Sequence, residues 1–307
     1  MFQQDATALR PLATIFAYKY SCEYDAFETQ RPALALVTGR RRVGKTFLLT
    51  HAWEADNIFL FAAARTTPEL NRQQLIHDLA AWCEATFDPA DFPSWRTVFH
   101  LLVNVATSRA TADRPKPSVV VLDEFQYLAD GAAGMADIAA ELNAVWGGRA
   151  LKRAAGGTLP LLLVLAGSEV TSMQALASGG SPLYGRFDGQ HTVEPFTYWF
   201  ASKLAAFDSL RERALTYGVF GGTPRYLAAI DTGRSLAENT TNLLLSPRGE
   251  VRLLLETALD HEHLKMLRRS AAGGFTAAFR KAVEASERRA ILWSLNDLYA
   301  TVQTAPA

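Results

Sequence analysis

The chain has 307 residues, 49% of them apolar and 20% charged, enough to bury a core in two domains of ordinary size. Its 31 basic residues, most of them arginine, balance 31 acidic ones, which excludes a net-basic nucleic-acid binder or an acidic disordered chain as a description of the whole. Two cysteines, Cys22 and Cys83, are too few for a disulfide framework or a four-thiolate zinc site, and no run approaches the roughly 20 apolar residues that span a bilayer.

Near the amino terminus Asp5, Arg10 and Lys19 interrupt the only short apolar run. No secretory signal is read there, and a cytoplasmic, reducing compartment is expected. After an N-terminal segment (residues 1–32), Ala33 to Thr38 is continuous, β-permissive and stopped by Gly39, the pattern of a strand buried on both faces. Ile58 to Ala62 is a second such run. Pro68 stands where a first helical turn starts, and Leu75, Leu79, Trp82 and Phe87 recur at roughly helical spacing. Val98, Leu101, Leu102 and Val105 form another stripe before a third strand, Val119 to Leu122. Asp130 to Gly134 reads as a surface loop, followed by the helical set Ile138, Leu142 and Val145. Ala154 to Pro160 reads as a loop, and Leu161 to Leu165 as a fourth strand. Strands punctuated by helices predict an α/β domain with a largely parallel sheet over residues 33–196. From Tyr198 onward the pattern is helical, broken at Gly221-Gly222, Pro247 and Gly273-Gly274, so residues 197–307 are expected to form an all-helical part.

Gly39-Arg40-Arg41-Arg42-Val43-Gly44-Lys45-Thr46 fits G-x-x-x-x-G-K-[ST] at every fixed position, a match expected by chance in roughly 1% of chains this long. It follows a predicted strand and opens a predicted helix at Thr46, Phe47, Leu48 and Leu49. Each residue type has a physical task. The two glycines let backbone N–H groups wrap phosphates, Lys45 reaches the β- and γ-phosphates, and the Thr46 hydroxyl ligates Mg²⁺. Gly39 to Thr46, with Phe47 next to them, are therefore the expected nucleotide-contacting residues. The three arginines have two open readings, a solvated cluster or extra positive potential around a triphosphate.

Val119-Val120-Val121-Leu122 is followed by Asp123-Glu124, so two carboxylates emerge where ligands bind in open α/β sheets. Asp123 is expected to hold Mg²⁺, directly or through water, and Glu124 to orient and deprotonate the attacking water. Ser168, at the end of the fourth strand, is placed to sense the γ-phosphate or position water. Arg186 either supplies charge to the transition state or pairs with a surface carboxylate.

The segments GRRRVGKT (39–46), VVVLDEFQYL (119–128), LAGSEVTSM (165–173), SPLYGR (181–186), EPFTY (194–198) and FGGTPRYL (220–227) resemble those of the archaeal-type STAND ATPases, P-loop ATPases related to AAA+ proteins. Gly221-Gly222-Thr223-Pro224 is the most discriminating, resembling the GGxP turn of the STAND helical lid. The resemblance implies a five-stranded parallel sheet of order 5-1-4-3-2, a helical lid with a partial winged-helix region after it, and an ATP-driven open/closed switch. It also implies Ser168 as a sensor and Arg186 as a phosphate-facing arginine. Relatives carry an F-x-[ND]-R-x-x-E-L type segment before the first strand that helps hold adenine, which residues 10–32 lack. Relatives also continue beyond 307 residues, so a short or truncated relative is expected.

His261-Glu262-His263 points its members to different faces of a helix and is not read as a metal site. The basic residues from Lys265 to Arg289 read as a solvated helix face before a DNA-facing one. Trp82, Trp95, Trp146 and Trp293 read as packing residues. The leading expectation is slow Mg²⁺-dependent ATP hydrolysis. The alternatives are a non-hydrolysing nucleotide-binding scaffold that recruits a partner or DNA, and a DNA-associated regulator; a protein partner or a second copy of the chain is the expected assembly.

Overall fold

The continuous apolar runs are four of the strands of one parallel sheet in the computed structural model, which describes residues 32–53, 55–111, 118–147, 151 and 159–262. β1 (Ala33–Thr38), β3 (Ser118–Asp123) and β4 (Leu161–Gly167) are buried along almost their whole length, while β2 (Ile58–Ala62) and β5 (Gly189–Thr192) are the edges. The order is 2-3-4-1-5, which read from the other edge is the expected 5-1-4-3-2, and every neighbouring pair is parallel. This is a parallel α/β sheet with the strand order that the resemblance implies. Cys22, His263, Gly273-Gly274, Trp293, the basic residues from Lys265 and the winged-helix region lie outside the described residues.

Successive strand residues face opposite sides of the sheet. Leu34, Leu36, Phe59, Phe61, Val120, Leu122, Leu163 and Leu165 share one core with helices α2 (Pro68–Trp82), α3 (Trp95–Ala110) and α4 (Gly131–Trp146). Ala35, Val37, Val119, Val121, Leu162 and Val164, on the other face, are buried too. Burial on both faces leaves no polar alternation, which is why the strands read as unbroken apolar runs.

The helix starts follow from capping chemistry. Thr67 accepts a hydrogen bond from the Leu70 N–H with Pro68 in the first turn, and Ser94 and Thr97 form a reciprocal capping box on α3. Phe87 falls beyond α2 and packs edge-on against Phe92, ring centroids 6.1 Å apart. Of the loop expected at Asp130 to Gly134, only Asp130 stays outside a helix, as the N-cap residue, and Gly131 to Gly134 are the first turn of α4. The small residues suggested a loop, but Ala favours helix, and burial of Met135, Ile138, Leu142 and Val145 draws the helix back to Gly131. Leu159, inside the second expected loop, is fully buried. Cys83 donates to the Leu79 carbonyl, and burial pushes its thiol up, making it a poor nucleophile at neutral pH.

β5 carries no apolar run, because Gly-Gln-His-Thr is a short edge strand that is only half covered. Asp188 pins its start: its carboxylate accepts from the Leu34 N–H at 2.8 Å, and its own N–H donates to the Leu34 carbonyl at 2.8 Å.

Asn71, 2% exposed on α2, ties the exits of β2 and β3 together. Its Oδ1 accepts from the Ala64 N–H at 2.9 Å, and its Nδ2 donates to the Ala64 and Tyr127 carbonyls at 3.0 and 2.8 Å. Asn71→Ala should lower stability by about 2 kcal/mol, seen as a lower urea midpoint. An unchanged midpoint would mean that water replaces all three bonds.

The chain divides into two compact units. The described residues up to Arg40 with Gly44–Val193 form the first, which also holds the short helix α5 (Val170–Ala175) after β4, and Arg41–Val43 with the described residues from Glu194 form the second. The second unit contains α6 (Tyr198–Leu204), α7 (Leu210–Phe220), α8 (Pro224–Leu227), α9 (Leu236–Thr240) and α10 (Glu250–Glu262). A π turn, Thr241–Leu245, follows α9.

The Gly221-Gly222-Thr223-Pro224 turn joins α7 to α8 for steric reasons. Gly221 has φ 66° and ψ −162°, a conformation almost confined to glycine. At Gly222 a Cβ would stand 1.8 Å from the Phe196 carbonyl oxygen. The same backbone pair is hydrogen-bonded, with the Phe196 N–H donating to the Gly222 carbonyl at 2.8 Å, and Tyr217 Oη donates to the Phe196 carbonyl at 3.3 Å. Gly222→Ala should therefore destabilise the helical unit by about 3 kcal/mol, visible as earlier loss of helical circular dichroism on heating. A wild-type melting curve would refute the close approach.

Candidate functional site

β1 delivers the chain to Gly39 at the carboxyl end of the sheet. Gly39 has φ 153°, and a Cβ there would meet the Val193 carbonyl oxygen at 2.4 Å, so the first glycine is required by the neighbouring backbone. Gly44, with φ 96°, turns the loop into α1 (Lys45–His51), whose first turn has no side-chain cap. Arg42 also has a left-handed backbone, φ 69°, and its guanidinium donates to the Leu254 carbonyl within the second unit. Arg40 is exposed, and Arg41 and Phe47 are half-buried.

Lys45 is only 6% exposed, and its Nζ donates to the Gly39 and Arg40 carbonyls at 2.7 and 3.1 Å. The ammonium thus lies along the loop that wraps the expected phosphates. Thr46, next to it, is exposed, and its hydroxyl donates to Asp123 Oδ2 at 2.6 Å. Asp123 is itself 3% exposed at the end of β3, its other oxygen accepting from the Glu124 N–H at 2.9 Å.

Glu124 leaves the strand in a left-handed conformation, φ 52° and ψ 41°, which is strained for a side chain with a Cβ. That turn swings its carboxylate toward β4, where Ser168 Oγ donates to Glu124 Oε2 at 2.7 Å. Parallel pairing of β3 with β4 makes the meeting possible, because Leu122 is in register with Leu165 and both chains exit on the same side. Glu124, Ser168, Asp123, Thr46 and Lys45 are therefore brought together.

Arg186 is not. Its Nε donates to Asn143 Oδ1 at 3.0 Å, beside the last turn of α4. That helix leads the chain back toward the amino ends of the strands, and Arg186 precedes β5, whose Gly189 pairs with Ala35. Arg186 accordingly lies toward the opposite end of the sheet from Gly39, roughly 20 Å away for a strand of this length.

The residue that sequence reading missed is Gln126. It sits in the 3₁₀ turn Phe125–Leu128, 7% exposed, and its Nε2 donates to Glu124 Oε2. Its place two residues after the carboxylate pair was the available signal, hidden because glutamine has no distinctive spacing rule. Among the described residues no group of three or more His, Cys, Asp or Glu side chains is placed to hold a metal, and no helix is long and apolar enough to cross a membrane.

Fold and site together define a P-loop α/β protein whose glycine-rich loop and acidic strand end meet at the carboxyl end of the sheet. No family model matches the chain, and no curated protein matches it by sequence. Among solved structures it is similar to the ORC2 protein of Aeropyrum pernix in its ADPNP–ADP complexes, with 14% identity, a TM-score of 0.48, and 86% of this chain against 70% of that one. It is similar to Cdc6p from Pyrobaculum aerophilum at 17% identity and a TM-score of 0.45, over 80% of this chain and 62% of that one. The Drosophila ORC bound to DNA gives 15% identity and a TM-score of 0.42, over 97% and 75%. Likenesses this distant carry no argument about activity, which rests on the residues themselves.

Proposed function

We propose that the chain binds ATP with Mg²⁺ at Gly39 to Thr46, with Phe47 beside them, and hydrolyses it slowly to ADP and phosphate. The observation that carries this reading is the 2.6 Å hydrogen bond from Thr46 to Asp123, which joins two motifs 77 residues apart in sequence. Loop N–H groups and Lys45 hold the phosphates. Thr46 and Asp123 offer hard oxygen donors suited to Mg²⁺, a cation that keeps several waters and takes one or two protein oxygens. When bound, Mg²⁺ would neutralise charge on the phosphate oxygens. Glu124 takes the proton of the attacking water, and Ser168 fixes the carboxylate that does so. Arg186, whose Nε donates to Asn143 Oδ1 at 3.0 Å, is assigned no step within one chain, and a phosphate-facing role across an interface between copies remains part of the reading.

The GGTP turn and the segment order support a STAND-type role, in which the nucleotide times a conformational change of the helical unit and a partner protein or second copy reads it. The test is phosphate release from Mg-ATP by the purified chain beside Lys45→Ala and Glu124→Gln. Release lost in both variants is expected. Nucleotide binding without release above the Lys45→Ala background would replace hydrolysis with a scaffold role.

A further inference from the structure

We propose that Gln126 is a positioning residue that, with Ser168, holds one oxygen of the Glu124 carboxylate so that the other is free to take the proton of the attacking water. The inference rests on the hydrolytic reading above and adds a residue to it.

Three observations converge on the side chain. First, Glu124 Oε2 is held twice, by Ser168 Oγ at 2.7 Å and by Gln126 Nε2, while Oε1 makes no hydrogen bond to the described residues. The same amide lies 3.4 Å from Ser168 Oγ, so the three side chains close a small ring. Secondly, the opposite end of the amide is left without a partner. Gln126 Oε1 is buried with no hydrogen bond among the described residues, an arrangement that costs about 1–3 kcal/mol and that an apolar residue would avoid. The stranded acceptor is explained if the donor end has a task. Thirdly, the strand beside it is shaped for the amide: at Gly167 a Cβ would stand 2.4 Å from Gln126 Oε1 and 2.7 Å from the Met173 side chain.

The backbone supports the same conclusion. Glu124 is held in a left-handed conformation that sends its side chain across to β4. Without a second anchor, a flexible carboxylate fixed through one hydroxyl would sample several rotamers. Two donors on one oxygen reduce that freedom, and accurate placement of a base contributes strongly to a rate.

Gln126→Met keeps the length and volume but removes the amide. It should lower kcat for ATP hydrolysis about tenfold or more, with KM, nucleotide affinity and thermal midpoint not reduced. Gln126→Asn, which withdraws the donor by one methylene while staying polar, should lower kcat in the same way and guards against a folding failure of the first variant. Both effects should vanish in a Glu124→Gln background, where no base is left to position. Wild-type kcat in Gln126→Met would overturn the inference alone, as would a fall of kcat together with affinity and thermal midpoint in both variants. Absence of Lys45-dependent hydrolysis by the wild-type chain would instead sink the functional reading, and this inference with it.

Discussion

Glu124→Gln should reduce phosphate release from Mg-ATP by roughly 10²- to 10⁴-fold while leaving nucleotide affinity intact. The amide is nearly the same size as the carboxylate and can still accept from Ser168, whose hydroxyl donates to Glu124 Oε2 at 2.7 Å. What it loses is the ability to take a proton. The phosphate-contacting groups, Lys45 and the loop backbone, belong to other elements and are untouched. Single-turnover release and equilibrium binding of a nucleotide, measured on one preparation, separate the two effects. Release at the wild-type rate would remove Glu124 from the role of base and leave it a structural anchor for β3 and β4.

Lys45→Ala should act on binding instead. Lys45 is buried to 6% exposure, its Nζ already held by the Gly39 and Arg40 carbonyls. A charged group so placed makes charge-assisted hydrogen bonds to phosphate worth about 1.5–3 kcal/mol, so affinity for ATP should fall roughly 10- to 100-fold. The loss should be larger for ATP than for AMP, because the side chain lies with the loop and not with a base or sugar. Lys45→Met, which keeps the buried stem, separates lost charge from lost packing. Equal ATP affinity in wild type and both variants would mean that the loop holds no phosphate.

These two variants probe residues that were legible without any coordinates. The glycine spacing, the lysine and the hydroxyl of Gly39 to Thr46 answer to the geometry of a phosphate, so the pattern survives in one dimension. All four predicted strands were equally plain: β1, β3 and β4 are buried on both faces and must read as apolar runs, and β2 is the run Ile58–Ala62 at the edge. The helical unit was legible as helical, and its Gly-Gly-Thr-Pro turn as a break, because a backbone approach within a Cβ radius admits only glycine.

The parts that needed the fold are those settled by contacts between distant segments. β5 is a polar edge strand whose place is fixed by Asp188 bonding to Leu34, a pairing that leaves no periodic mark. The start of α4 was misread because small residues carry little local preference, and only the core it covers decides its length. The contact of Arg186 with Asn143, 43 residues away in sequence, likewise leaves no mark in the pattern of residues. Gln126 stood inside the segment 119–128 with no role of its own. The sequence by itself determined which chemical groups the loop and the acidic strand end possess, because those groups are local and their spacing is short. Tertiary structure alone decided which of them share a site, because that depends on strand order and register, which bring Thr46 to Asp123 and Ser168 and Gln126 to Glu124.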